Sequence, residues 1–70
     1  MNKDDKIKIS NEIKYDIETK VFDSFPKLKV RLLFIANKLF ESSFVLNSSK
    51  ELTNNEIKEL TEQGYINNSN

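Results

Sequence analysis

Residues 26–43 read PKLKVRLLFIANKLFESS, and the order of apolar side chains along them predicts a helix at the centre of the fold. Pro26 suits the first turn of a helix, where a missing backbone N–H removes no intrahelical hydrogen bond. On a helical wheel, five apolar side chains fall on a single stripe, which we expect to face the core. They are Leu28, Leu32, Ile35, Ala36 and Leu39.

The same segment carries more apolar surface than one stripe provides. Further apolar side chains spread over most of the remaining circumference: Val30, Leu33, Phe34, Phe40 and Phe44. A helix that is apolar nearly all round must be covered on more than one side, by its own chain or by another molecule. Because aromatic side chains contribute strongly to interfaces, we expect these five residues to bind a protein partner or a second copy of the chain. The competing interpretation is that Phe40 and Phe44 close the core over the first and third helices.

The segment before Pro26 fits both a helix and a strand. Apolar residues recur at every fourth position across residues 9–25, which suits one face of a helix, and Ser10 or Asn11 can cap its start. A four-residue repeat also satisfies the two-residue period of a strand. The length of the pattern favours a helix over about 11–24, and it still admits a short strand near 6–10.

The third helix has the clearest boundaries. Thr53 followed by Glu56 has the spacing of a capping box, in which a hydroxyl and a carboxylate pair with free backbone N–H groups. Gly64 stands where a left-handed residue ends a helix. These signals predict a helix over about 54–63, and the apolar residues before it admit a second short strand near 44–47.

Together these segments predict a mostly α, compact three-helix fold in a single domain, residues 1–70. The polar ends, residues 1–5 and 67–70, are expected to be frayed tails. Seventy residues allow one small core at most.

The composition excludes much of the chemistry that enzymes use. With no His and no Cys, the chain has no imidazole base, no thiolate nucleophile and no usual structural zinc ligands. Its single glycine cannot build a Gly-rich phosphate loop. We therefore expect no enzymatic activity, no cofactor, no metal and no small-molecule substrate. Glu56, Glu59 and Glu62 are interpreted as helix-dipole and surface charges rather than as a cation site.

The charged first residues are not followed by an apolar stretch of signal-peptide length, so we expect no signal peptide, and no apolar run is long enough to cross a membrane. We therefore expect a cytoplasmic protein that does not bind membranes. The formal net charge is zero, so long-range attraction to nucleic acid must come from a local basic patch.

Such a patch is predicted on the second helix, where Lys27, Arg31 and Lys38 lie on one strip with Phe34 between them. Lysine and arginine contact phosphates, and an aromatic ring can stack on a base. These three cations are the candidate nucleic-acid-binding residues. A solvated polar face is the competing interpretation.

Residues 56–66, EIKELTEQGYI, resemble the junction between the last helix and the wing of winged-helix DNA-binding domains. In that family a helix ends in Leu, three residues and Gly-aromatic-Ile. The resemblance covers eleven residues and implies a nucleic-acid-binding regulator with a reduced winged-helix fold. The helix here is rich in glutamate where the family's is basic, so no binding residue is transferred.

The sequence thus predicts a small non-enzymatic regulatory or interaction protein, an adaptor or an inhibitor, that binds another protein and can form a homodimer. The alternative is the nucleic-acid-binding regulator. The surplus apolar surface of the second helix favours the first hypothesis.

Overall fold

The computed structural model describes residues 1–44 and 51–67, and this part of the chain forms three helices and no strand. Helix α1 is Lys3–Glu18, α2 is Pro26–Ser42 and α3 is Asn54–Glu62. The radius of gyration is 11.7 Å, close to the roughly 11 Å expected for a compact domain of this length. The prediction of a mostly α, three-helix fold is confirmed.

Helix α1 begins at Lys3 instead of near residue 11, because the first residues supply their own helix start. The side chain of Asn2 accepts a hydrogen bond from the backbone N–H of Asp5 at 2.8 Å. Asp4 and Asp5 also place negative charge in the first turn, where the helix dipole favours it. The short strand expected near 6–10 is therefore wrong, since those residues are helical.

Helix α1 ends at Glu18, several residues before the predicted end near 24. A four-residue repeat drifts by about 40° per step around a helix, so it cannot stay on one face over four turns. Val21 and Phe25, the last two members of the repeat, are accordingly 56% and 60% exposed. Lys20 turns the chain with a left-handed φ of 69°. Phe22, outside the repeat, is buried in the core instead.

Helix α2 has the predicted start and ends within one residue of the predicted end. Pro26 occupies its first turn, and Phe25 is the residue before it. The predicted core stripe is confirmed, since Leu32, Ile35, Ala36 and Leu39 are buried and Leu28 is half-buried. Helix α1 packs on this stripe with Ile9 and Ile13.

Ser10 connects α1 to α2 inside the core. Its side chain is fully buried, and its hydroxyl donates a hydrogen bond to the backbone carbonyl of Ala36 at 2.8 Å. A buried hydroxyl needs such a partner because an unpaired polar group loses its hydration without compensation.

Helix α3 has the predicted capping box. The backbone N–H of Thr53 donates to Glu56 Oε1 at 2.8 Å, and the N–H of Glu56 donates to Thr53 Oγ1 at 3.2 Å. Leu60 is the fully buried residue of this helix. Gly64 follows with a φ of 84°, in the left-handed conformation that the sequence predicted.

The chain after α3 folds back onto the core. Tyr65 and Ile66 pack against it, and the Tyr65 hydroxyl donates a hydrogen bond to Asp16 Oδ2 at 2.5 Å. Burial, followed by the hydrogen bond to Asp16, raises the pKa of the Tyr65 hydroxyl above its ordinary value. The last turn of the fold is therefore tied to α1.

The remaining predicted segments fall partly outside the described residues. Residues 1–5 were expected to be a frayed tail, and they include the first turn of α1. Of the expected strand near 44–47, Phe44 lies in a turn and the other residues are outside the described part. Of the expected tail 67–70, Asn67 alone is described. None of the helices in the described ranges is long and apolar enough to span a membrane.

Candidate protein interface

Of the five apolar residues predicted to bind a partner, four lie on the side of α2 that faces away from the core, and Phe44 lies in the turn after the helix. We call this set, Val30, Leu33, Phe34, Phe40 and Phe44, the outer face. Their exposed fractions are 68%, 43%, 64%, 41% and 60% in that order. Exposed aromatic and aliphatic side chains of this kind leave about 500 Å² of apolar surface in contact with water, an area that often marks a functional site.

Phe40 and Phe44 do not close the core over α1 and α3, so that interpretation of the sequence is wrong. Their rings pack edge to face, with centroids 5.1 Å apart and an interplanar angle of 74°. The two rings form the end of the outer face nearest the C-terminus of α2. This aromatic pair leaves much of each ring open to solvent.

Two lysines of α1 form one margin of the outer face. Lys14 Nζ lies 5.0 Å from the centroid of the Phe40 ring, and Lys3 Nζ lies 5.3 Å from that of Phe44. Both distances are within the range of a cation–π interaction. The sequence pattern did not identify these lysines, because their position depends on how α1 crosses α2.

The opposite margin is a groove between α2 and α3 with a volume of about 460 Å³. Val30, Phe34 and Ile35 line its α2 side, and Glu56 and Glu59 line its α3 side. The groove continues the apolar surface of the outer face toward α3.

The predicted basic strip is largely neutralised by α3. Arg31 Nε lies 2.9 Å from Glu59 Oε1, and Lys38 Nζ lies 2.8 Å from Glu56 Oε1. Lys27 is exposed near the start of α2. The three cations therefore lie on one strip, but Arg31 and Lys38 form ion pairs with glutamates of the same chain.

The glutamates of α3 serve these ion pairs. Partial burial raises the pKa of the Glu56 carboxyl, but the hydrogen bonds from Lys38 and Thr53 lower it by more, so it lies below its ordinary value. Glu59 also lies within hydrogen-bond distance of Gln63. Within residues 1–44 and 51–67, no group of three or more metal-ligating side chains is arranged to hold an ion.

Asn37 lies in the middle of the outer face, and it is not among the residues that the sequence predicts for a protein interface. It is exposed, and it lies on the wheel between Leu33 and Val30. The signal that identifies it is spacing: Val30, Leu33, Asn37, Phe40 and Phe44 are separated by three, four, three and four residues.

The segment that resembles a winged-helix junction does not lead into a strand. Tyr65 and Ile66 follow Gly64 as bends and pack on the core. The chain matches no family model, no curated protein and no solved structure. The outer face of α2, with its basic margin on α1 and its groove beside α3, is the candidate site.

Proposed function

We propose that this chain is a non-enzymatic regulatory or interaction protein, an adaptor or an inhibitor, that acts by binding protein through the outer face of α2. The observation that carries the proposal is the exposure of five apolar side chains, four on one side of α2 and Phe44 in the turn that follows, while the other side of α2 fills the core. Burying such side chains against a partner removes apolar surface from water, which is the main favourable term in association.

The composition of the outer face also supports a protein partner. Phe34, Phe40 and Phe44 supply large apolar contacts at little cost in conformational freedom, and aromatic residues are frequent binding hot spots. Lysines and glutamates at the two margins give the polar rim that surrounds the apolar centre of many interfaces.

A nucleic-acid partner has less support. Phosphate binding would require Arg31 and Lys38 to exchange Glu59 and Glu56 for phosphates, and that exchange costs the existing ion pairs. Among the three cations of the predicted strip, Lys27 alone has no ion pair within the described residues.

Site-specific photo-crosslinking tests the protein-binding proposal. A benzoyl-phenylalanine at position 34 should crosslink the chain to a protein in an extract of the producing cells, and the Leu33→Glu change should abolish that product. The matched control places the same crosslinker at Val21, which is 56% exposed but lies outside the outer face. Equal crosslinking from positions 34 and 21, or a product that survives Leu33→Glu, would contradict the proposal.

A further inference from the structure

Four residues of the outer face, together with Asn37, have the spacing by which one helix packs along another. Steps of three and four residues alternate from Val30 through Leu33, Asn37 and Phe40 to Phe44. Their mean of about 3.5 residues keeps the stripe facing a neighbouring helix, as at the first and fourth positions of a coiled-coil heptad. The core stripe of α2 is already packed within the chain. These residues of the outer face therefore have the spacing that suits a partner helix. No helix within the described fold covers them.

We infer that a second copy of this chain occupies the outer face, with the two α2 helices side by side and parallel, and with Asn37 paired to its own counterpart across a two-fold axis. The inference rests on the proposed function, because it names the protein that covers the same face. It makes α2 the centre of both the monomer core and the dimer interface.

Asn37 is the residue that selects a second copy over an unrelated apolar partner. Its amide can donate and accept hydrogen bonds, so two such amides satisfy one another when they meet. Against a wholly apolar partner surface the amide would be buried without a bond. A single Asn in an apolar seam is a known device for fixing the register and the number of helices in parallel coiled coils.

The neighbouring positions of the seam also suit a pair of parallel helices. With Val30 and Asn37 at the first heptad position, Leu33 and Phe40 occupy the fourth, and Phe44 continues the spacing two residues beyond the end of α2. A β-branched residue at the first position with leucine at the fourth favours a coiled coil of two helices. Val30 and Leu33 are such a pair.

Charge at the two margins favours the parallel orientation. Lys3 and Lys14 make the α1 margin basic, whereas the α3 margin balances Arg31 and Lys38 against glutamates. In a parallel pair, the α1 margin of each copy lies beside the α3 margin of the other. An antiparallel pair would place the two basic margins together, where like charges repel.

The available area reaches the minimum for a weak dimer. About 500 Å² per copy gives about 1,000 Å² in total, below the roughly 1,200–2,000 Å² of stable interfaces. An interface of that size predicts a dimer that dissociates on dilution.

Single-cysteine crosslinking tests the inference, because the natural chain has no cysteine. Parallel helices bring the two copies of residue 30 within the roughly 4.4–6.8 Å between Cα atoms that a disulfide spans. An antiparallel pair centred on Asn37 would separate them by about 20 Å. We expect Val30→Cys and Asn37→Cys to form disulfide dimers at least about tenfold faster than Tyr15→Cys, an exposed control on α1.

Sedimentation of the natural chain and of Leu33→Glu completes the test. The natural chain should show a monomer–dimer equilibrium, and Leu33→Glu should be monomeric with an unchanged helical circular dichroism spectrum. A Val30→Cys rate equal to that of Tyr15→Cys would overturn the parallel pairing. A natural chain that stays monomeric while position 34 still crosslinks to another protein would overturn the self-association and leave the proposed function intact.

Discussion

Ser10 lies in the core where α1 packs against α2. It is fully buried, and its hydroxyl donates to the carbonyl of Ala36, itself a small residue at 0% exposure. Two small side chains at a helix crossing let the backbones approach, and the hydrogen bond then fixes the register of the two helices. The sequence predicts Ser10 only as a possible helix cap, because no local pattern distinguishes a capping serine from a buried one.

Substitution of Ser10 should therefore depend on size. Ser10→Ala removes one buried hydrogen bond and should cost about 1 kcal/mol of unfolding free energy. Ser10→Leu adds volume where the helices meet and should cost about 1–3 kcal/mol. Urea denaturation measures both, with the exposed neighbour Asn11→Ala as a control expected within about 0.5 kcal/mol of the natural chain. A Ser10→Leu variant as stable as the natural chain would show that the crossing is loose.

Glu56 couples stability to acid pH. Its pKa is lowered in the folded state, so its contribution is fully present above the unfolded pKa of 4.5 and is lost as pH falls through the folded value. Glu56→Gln retains a capping-box acceptor but has no charge for Lys38. The natural chain should be more stable than Glu56→Gln at pH 7, and the difference should shrink as pH falls below 4.5. Urea titrations at several pH values measure this, and a difference independent of pH would contradict it.

At the scale of the element, the bounds of α2 and α3 could be predicted from the sequence, and those of α1 only in part. Pro26 and the capping box of Thr53 and Glu56 act within a few residues, so the sequence alone identifies them. To predict the start of α1 at Lys3, Asn2 must be recognised as a helix cap. The apolar residues after it alternate in a way that also suits a strand. The burial of Phe22 could not be read from any repeat, because it depends on where the turn after α1 directs the chain.

Lys20 ends α1 at a conformational cost that substitution can reveal. Its φ of 69° is left-handed, which costs a non-glycine residue about 1–2 kcal/mol. Lys20→Gly should therefore be neutral or stabilising by up to about 1 kcal/mol, after the entropy of glycine in the unfolded chain is subtracted. The matched change Lys8→Gly, at an exposed position inside α1, should destabilise by about 1 kcal/mol. Thermal or urea unfolding compares the pair, and equal losses would contradict the assignment of strain to Lys20.

At the scale of the whole molecule, the candidate site divides into a part that sequence predicts and a part that it does not. Counting apolar residues around the second helix predicts the outer face, and all five of its residues are exposed, although Phe44 lies in the turn beyond α2. The basic strip was identified equally well, but its neutralisation by Glu56 and Glu59 was not. Which glutamate pairs with which cation depends on how α3 packs on α2. The numbers of charged residues in the chain do not predict these ion pairs.

The helices do not share the packing equally. Helices α1 and α2 contact one another far more extensively than either contacts α3. Helix α3 is held by the buried side chain of Leu60, by the ion pairs of Arg31 and Lys38, and by the chain that follows it.

Because α3 makes fewer packing contacts, it should open locally more often than α1 and α2. Amide protons of α3 should exchange with deuterium through local opening, before those of α1 and α2, which exchange only in global unfolding. Each opening also frees Arg31 and Lys38 from their glutamates for a short time. Hydrogen exchange followed by NMR should show protection factors lower in residues 54–62 than in Ile9, Ile13 and Leu32. Uniform protection across the three helices would instead make the molecule a single cooperative unit.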